Sequence, residues 1–409
     1  MTGEAASSRW GHVRMTERAI DEPHRAASPL ELLFDLTFVV AIASVTVQLA
    51  HGIADGHALQ QVLPFLQVFF AIWWAWMNFT WFASSYDTDD VPYRLLTMVQ
   101  MAGVLVLAAG VPAVFTDSDY RAVTVGYLVM RAALVAQWVR AGIEHPVGRR
   151  TAFRYAAGIS VLEVGWLLRL VLAEGGELRD GALVPVFIGL VVAELAVPRW
   201  AERARPTSWH PHHIAERYGL FVIIVLGESV LAASTGFQAA FSTGGLNWSL
   251  VTVAGAGLVL LFALWWLYFL QRSGPGLAEN RERSFLWGYG HYGIFAAAAA
   301  VGAGLEVAVE GAGHHLEISA VGVGYAVAVP VALFLALLWA VHLPLAAQPV
   351  HPVLVLGAAV VVLLLPALAP TTGLAVVVLM IAAVCTFLVV ASAVASSRRR
   401  GRESDPPRT

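Results

Sequence analysis

Residues 31–46 read ELLFDLTFVVAIASVT. Carried on to residue 51, this run reaches the roughly 20 apolar residues that cross a bilayer core as a helix. Glu31 and Asp35 are its charged residues. They stand four apart, on one helical face, where two negative charges repel. A helix N-terminus favours acids in its first turn. Glu31 therefore reads equally well as a helix-end acid or as part of a buried pair. Asp35 lies deeper, between Phe34 and Phe38. There the reading favours an internal partner, a cation or a shared proton.

The rest of the chain continues in the same style. It has 409 residues, of which 58% are hydrophobic and 13% charged; the mean hydropathy is +0.70. A water-soluble domain of this length needs more charge to cover its surface. Twelve apolar blocks lie near 30–51, 61–83, 94–115, 121–140, 152–173, 182–198, 213–235, 248–270, 285–309, 317–341, 352–368 and 372–396. They are continuous, not alternating, which points away from a β-barrel. The expected fold is all-α, a polytopic transmembrane helical bundle of about 12 spans. The net charge of −3 says little about partners; a lipid bilayer is expected, nucleic acid is not. Cys385 is the single cysteine, so a disulfide framework and a cysteine metal site are both ruled out.

Arginine gathers on the cytoplasmic side of membrane proteins. Here it marks the N-terminal tail, the loop of Arg140, Arg149, Arg150 and Arg154, the loop of Arg199, Arg203 and Arg205, the loop of Arg272, Arg281 and Arg283, and the C-terminal run Arg398–Arg400 with Arg402. All fall on one side if the chain crosses twelve times from a cytoplasmic N-terminus. The expected location is a bacterial cytoplasmic membrane with both termini inside. Residues 1–28 are expected to be a disordered cytoplasmic tail, and 397–409 a cytoplasmic arginine-rich tail.

The chain also echoes itself. Glu31 and Glu216 head two spans, FVV at 38–40 echoes FVI at 221–223, and IWWAW at 72–76 echoes LWWLY at 264–268. Two six-helix halves, 29–206 and 207–396, would then be related as a parallel repeat.

Charges in hydrocarbon cost roughly 2.5–3.5 kcal/mol at a helix centre and face the bundle interior. That criterion selects Asp35, Arg131, Glu163, Glu194, Glu228 and Glu306. Arg131 and Glu163 sit mid-span in consecutive helices joined by a short loop, so a buried pair is expected. In span seven His213, Arg217 and Glu228 share a sector, with Glu216 at its edge. Glu228 lies about 16 Å beyond Arg217 along the helix; it is expected to be protonated or paired with an arginine such as Arg131. The residues assigned to a ligand or ion pathway are Glu31, Asp35, Arg131, Glu163 and Glu228.

A second polar group is expected at the cytoplasmic face: Asp87, Asp89, Asp90, Arg94, His213, Glu216 and Arg217. In SYDTDDVPYR (85–94), Asp90 before Pro92 is a good helix start. Asp87 and Asp89 either pair with neighbouring arginines or hold Mg²⁺ with a phosphate-bearing ligand; the pairing is favoured. WHPHHIAER (209–217) places histidines three and four before Glu216, but the zincin order is absent, and no metal or cofactor is assigned. No catalytic residue is assigned, and no Walker A motif is present.

Three stretches together resemble the bacterial low temperature requirement A (LtrA) family: ELLFDLTFVVAI (31–42), the WW…WFASSYDTDDVPYRLL region (73–96) and HIAERYGLFVIIVLGES (213–229). The matching positions are Glu31, Phe34, Asp35, Phe38, Asp87, Asp89, Asp90, Arg94, His213, Glu216, Arg217, Gly219, Gly227 and Glu228. The resemblance implies a multi-pass membrane protein linked by name to growth in the cold, without a settled activity. Span one is also similar to the first helix of endolysosomal-type potassium channels, although that motif's intervening serine and upstream arginine are missing here.

The leading expectation is a transporter or channel for a small solute or ion. The alternative is a membrane-embedded enzyme or lipid-head-group binder using the cytoplasmic acidic and histidine group. A third is a scaffold or sensor. The sequence leaves the solute, the coupling ion and the oligomeric state open.

Overall fold

The computed structural model describes residues 11–23, 25–242, 247–270, 273–313, 316–345 and 352–403. Among them the regular structure is helical throughout. The helices are α1 (Pro29–Ala54), α2 (Ala58–Tyr86), α3 (Val91–Asp117), α4 (Arg121–Glu144), α5 (Arg149–Glu174), α6 (Asp180–Glu202), α7 (Pro211–Ser242), α8 (Trp248–Phe269), α9 (Ser273–Glu279), α10 (Ser284–Gly313), α11 (Ala320–His342), α12 (Pro352–Leu364), α13 (Ala369–Thr372) and α14 (Leu374–Glu403). Among the described residues 11 helical stretches are long and apolar enough to cross a membrane. They match every predicted block but 213–235, which lies within α7, a helix of 32 residues bearing Glu216, Arg217 and Glu228. The fold is a polytopic transmembrane helical bundle.

α1 shows why these sequences settle as they do. Its inward stripe is Glu31, Phe34, Asp35, Phe38, Ala41, Ile42 and Val45, all buried, while Leu32, Leu33, Leu36 and Val40 are 45–61% exposed. The stripe has helical period, and the outward face is as apolar as the inward one. Such a helix is stable where lipid, not water, covers its outside. α3 begins as its sequence suggests: the Asp90 side chain accepts a hydrogen bond from the Tyr93 amide at 3.1 Å, and Pro92 occupies the first turn.

The chain divides into two compact units. One comprises Met1–Val45 and Val68–Arg217, the other Thr46–Gln67 and Tyr218–Thr409. They interleave along the chain, whereas the expected halves are consecutive. In the first unit α3 and α4 touch through glycine: a Cβ added to Gly126 would lie 2.4 Å from the Leu107 nitrogen. In the second, α10 and α11 meet in the same way, with a Cβ on Gly304 only 2.2 Å from the Ala326 carbonyl oxygen. Small residues let helix backbones approach where lipid supplies no hydrophobic drive between helices.

The N-terminal segment departs from expectation. Residues 1–10 and 24 lie outside the described residues, but the remainder of 11–28 is not a free tail. Val13 N donates to Asp90 Oδ2 at 2.9 Å, Met15 N to Glu144 Oε2 at 2.5 Å and Arg18 N to Ser85 O at 2.9 Å. Arg205 pairs with Glu17 at 2.9 Å. The segment looked disordered because it has no apolar core of its own. Its partners are charged helix ends distant in sequence, and these hold it as a strap across the first unit. The side chains of the arginine-rich C-terminal tail, and His314 and His315, lie outside the described residues.

Candidate functional site

Two buried arginines organise the first unit. Arg217, early in α7, donates from Nη2 to Asp35 Oδ1 at 2.6 Å, and its Nη1 lies 3.3 Å from Glu31 Oε1. His213, one turn earlier, places Nε2 3.1 Å from the same Glu31 oxygen. Trp76 of α2 adds an indole N–H to Asp35 Oδ1 at 2.8 Å. All these charged side chains are between 0% and 3% exposed. Glu31 carries both roles weighed for it. It accepts a hydrogen bond from Ser28 N at 2.8 Å while Ser28 Oγ accepts one from Glu31 N at 3.3 Å, a capping box. Asp35 has the cationic partner expected of it. That partner is 182 residues away.

The centre is incompletely satisfied. Asp35 Oδ2, Glu31 Oε1, Arg217 Nε and Nη1, and His213 Nδ1 make no hydrogen bond among the described residues. Buried polar atoms of this kind are rare, and each calls for water, an ion or a functional reason.

Arg131 of α4 forms the second centre. Its Nε donates to Glu163 Oε1 on α5 at 3.2 Å and its Nη2 to Glu194 Oε2 on α6 at 2.9 Å. Glu194 also accepts from Trp74 Nε1 at 2.8 Å, Tyr127 Oη at 3.0 Å and Trp166 Nε1 at 3.2 Å. Its side chain is 0% exposed; that of Glu163 is 12% exposed. The Arg131–Glu163 pair is as the short loop implied. Glu194, expected only as a buried acid, is the hub.

The WWAW run thus has a chemical role the sequence reading missed. Aromatic runs in membrane spans ordinarily pack internally or form interfacial belts. Instead Trp74 and Trp76, two apart, each present an indole N–H to a buried carboxylate, one in each centre. The available signal was that buried tryptophan N–H groups need acceptors, and the spans hold few.

The polar group expected at the cytoplasmic face separates into individual pairs. Arg94 Nη2 meets Asp89 at 2.7 Å, and Arg140 Nη2 meets Asp90 at 2.5 Å. Asp87 faces Arg18 at 3.7 Å and Arg25 at 4.0 Å. Glu216 is exposed, whereas Arg217, about 100° further round α7, is buried. Among the described residues no group of three metal-binding side chains assembles. Two of these acids titrate in opposite directions. Burial pushes the Asp87 carboxyl up to about 6, and Glu31 nearby adds to the shift, against Arg25 and Arg18. Burial acts on Asp90 too, but the Arg140 hydrogen bonds and the Val13 and Tyr93 amides outweigh it and hold that carboxyl at about 2.

Glu228 belongs to the second unit and is buried, 8% exposed. An Arg131 partner, one of the two states expected for it, does not occur: Arg131 is bound to Glu163 and Glu194. Among the described residues Glu228 has neither a hydrogen bond nor an ion pair.

Comparison with known proteins places this arrangement. The sequence matches the family described as "Bacterial low temperature requirement A protein (LtrA)" over residues 26–391. The chain belongs to the LtrA family. It is 28% identical over 300 residues to the "Uncharacterized protein RA0937" of Rhizobium meliloti (strain 1021), covering 69% of each chain. No solved structure matches. The LtrA match begins just before the Ser28–Glu31 capping box and contains both arginine centres. With its many apolar helices, this LtrA protein is an integral, multi-pass membrane protein.

Proposed function

We propose that this LtrA protein is a transporter or channel for a small solute or ion, with proton or cation occupancy of its buried acids as the driving or gating event. One observation carries the reading. Each buried centre holds one arginine between two carboxylates, Glu31 and Asp35 around Arg217, Glu163 and Glu194 around Arg131. With both acids ionised, each centre has one negative charge too many, apart from any charge on His213. In a dry interior that excess is costly, and a proton or a cation relieves it. Ionisable groups inside a membrane are typical of proton relays and ion pathways. The assigned pathway residues are Glu31, Asp35, Arg131, Glu163 and Glu228. The one-sided arginine loops support a cytoplasmic membrane location with both termini inside.

The alternative, an enzyme or head-group binder at Asp87, Asp89, Asp90, His213, Glu216 and Arg217, has weaker support. Asp87, Asp89 and Asp90 each face an arginine, and Glu216 is exposed. The deciding experiment is flux in proteoliposomes, screening protons, alkali cations and small organic ions. Asp35→Asn and Glu228→Gln are expected to reduce flux at least about tenfold, as loss of an essential ionisable group does. Normal flux in both variants would take these acids out of the mechanism.

A further inference from the structure

The second unit contains its own buried polar cluster. A Cβ added to Gly302 of α10 would lie 3.1 Å from Glu228 Cβ on α7, 3.5 Å from Thr46 Cγ2 on α1 and 3.6 Å from Ser229 N. Three helices therefore converge on the bare backbone of one glycine. Thr46, Glu228 and Ser229 are 1%, 8% and 0% exposed. Glu306 stands one turn beyond Gly302 on the same face of α10 and is half-buried.

The hydroxyls are the informative part. In this chain a buried or half-buried hydroxyl on a spanning helix commonly donates back to the preceding turn. Thr97 donates to Tyr93 O at 2.8 Å, Thr386 to Ala382 O at 2.8 Å and Ser392 to Leu388 O at 2.7 Å. Thr46 Oγ1 and Ser229 Oγ do not, and make no hydrogen bond among the described residues; Thr80 of the first unit is a further exception. The atoms nearest Gly302 are the Glu228 Cβ, the Thr46 methyl and the Ser229 backbone nitrogen, so two unpartnered hydroxyls and a carboxylate with no hydrogen-bond donor among the described residues belong to residues at this one junction. Oxygen-only ligands of this kind suit hard cations. Glu228 is the one acid beside Gly302, and its single negative charge matches a monovalent ion, with Glu306 a turn away.

We propose that Glu228, Ser229 and Thr46, with Glu306 at the edge, form a binding site for a monovalent cation of the sodium class. Its role as coupling or transported ion rests on the transport reading above; the binding itself does not. Gly302 lets α1 and α7 approach α10 closely enough to bring these residues together.

The test is ²²Na⁺ binding to the full chain purified in detergent. Saturable binding is expected, displaced by unlabelled Na⁺ and by acid. Glu228→Gln should abolish it. Ser229→Ala and Thr46→Val should each weaken it about tenfold or more, the scale of losing one supporting group at an ion site. Thr46→Ser keeps the hydroxyl and should bind normally, as should Thr80→Val. If Glu228→Gln fails to fold, the two hydroxyl variants decide. Absence of saturable binding in the unmodified protein, or binding that survives loss of both hydroxyls, overturns the site. Binding without flux in proteoliposomes upholds the site and sinks the transport reading. Flux that ignores Na⁺ in a protein that binds none overturns the site and leaves the transport reading standing.

Discussion

The two arginine centres of the first unit are built from nearly the same parts and finished differently. Around Arg131, Glu194 accepts four hydrogen bonds, from Arg131, Trp74, Tyr127 and Trp166. Its acceptor capacity is filled. Around Arg217, Asp35 Oδ1 accepts two bonds while Oδ2 accepts none, and five polar atoms of the centre are left without hydrogen bonds among the described residues. The Arg131 centre leaves two atoms, Arg131 Nη1 and Glu163 Oε2, without a hydrogen bond among the described residues, against five around Arg217; the more completely satisfied network rigidifies the fold, and the less satisfied one has more atoms to offer protons, water or ions. The first centre reads as a structural clamp on α4, α5 and α6. The second is the working centre under the transport proposal.

That contrast can be broken by mutation. The largest effect is expected at Arg131. Arg131→Met leaves Glu194 buried against one fewer cation, and breaking a buried pair from one side costs about 3–5 kcal/mol. Unfolding in detergent monitored by tryptophan fluorescence would measure it. Combining Arg131→Met with Glu163→Gln and Glu194→Gln should recover much of the loss. Arg217→Gln should cost less, about 1.5–3 kcal/mol for hydrogen bonds to a charged group, while removing flux. If Arg217→Gln proved the more destabilising of the two, the distinction between clamp and working centre would fail.

Smaller effects come from the tryptophans. Trp74→Phe and Trp76→Phe each delete one N–H donor from a buried carboxylate, at about 1.5–3 kcal/mol at most. Trp74→Phe should show mainly in stability and Trp76→Phe mainly in the pH dependence of flux. Equal effects of both on both readouts would blur the contrast.

The smallest effects are in acid stability, and they have opposite signs. Asp90 is held at about 2 in the fold, below the ordinary value of roughly 4. Its contribution is complete above about 4 and disappears as the pH falls towards 2; Asp90→Asn should remove that limb of the stability curve. Asp87 is raised to about 6. Its ionisation opposes folding, so stability is regained as the pH falls from above 6 towards 4, and Asp87→Asn should flatten that interval. Unfolding midpoints between pH 2 and 8 would resolve both.

Much of this was legible in the chain itself. Block length and continuity gave the helices, because crossing a bilayer requires about 20 apolar residues in a row. Asp90 and Pro92 announced the start of α3. The short loop between α4 and α5 announced the Arg131–Glu163 pair. The Ser28–Glu31 capping box was visible too, although it was not read. The strap formed by residues 11–23 and 25–28 was not legible, since its partners Asp90, Glu144 and Arg205 lie on other helix ends.

By itself the sequence determined that the protein is a helical membrane bundle and that a few charges are sunk in its spans, since hydrophobic length and burial cost are local properties. Beyond the Arg131–Glu163 pair of neighbouring helices, tertiary packing decided which charges meet. It gave Asp35 to Arg217, 182 residues on, turned Trp74 and Trp76 of one helix to different acids, and left Glu228 beside Thr46 and Ser229 at Gly302. The reason is physical: an ion buried in a low-dielectric interior takes the counter-charge that packing brings within a few ångströms, wherever that residue stands in the chain.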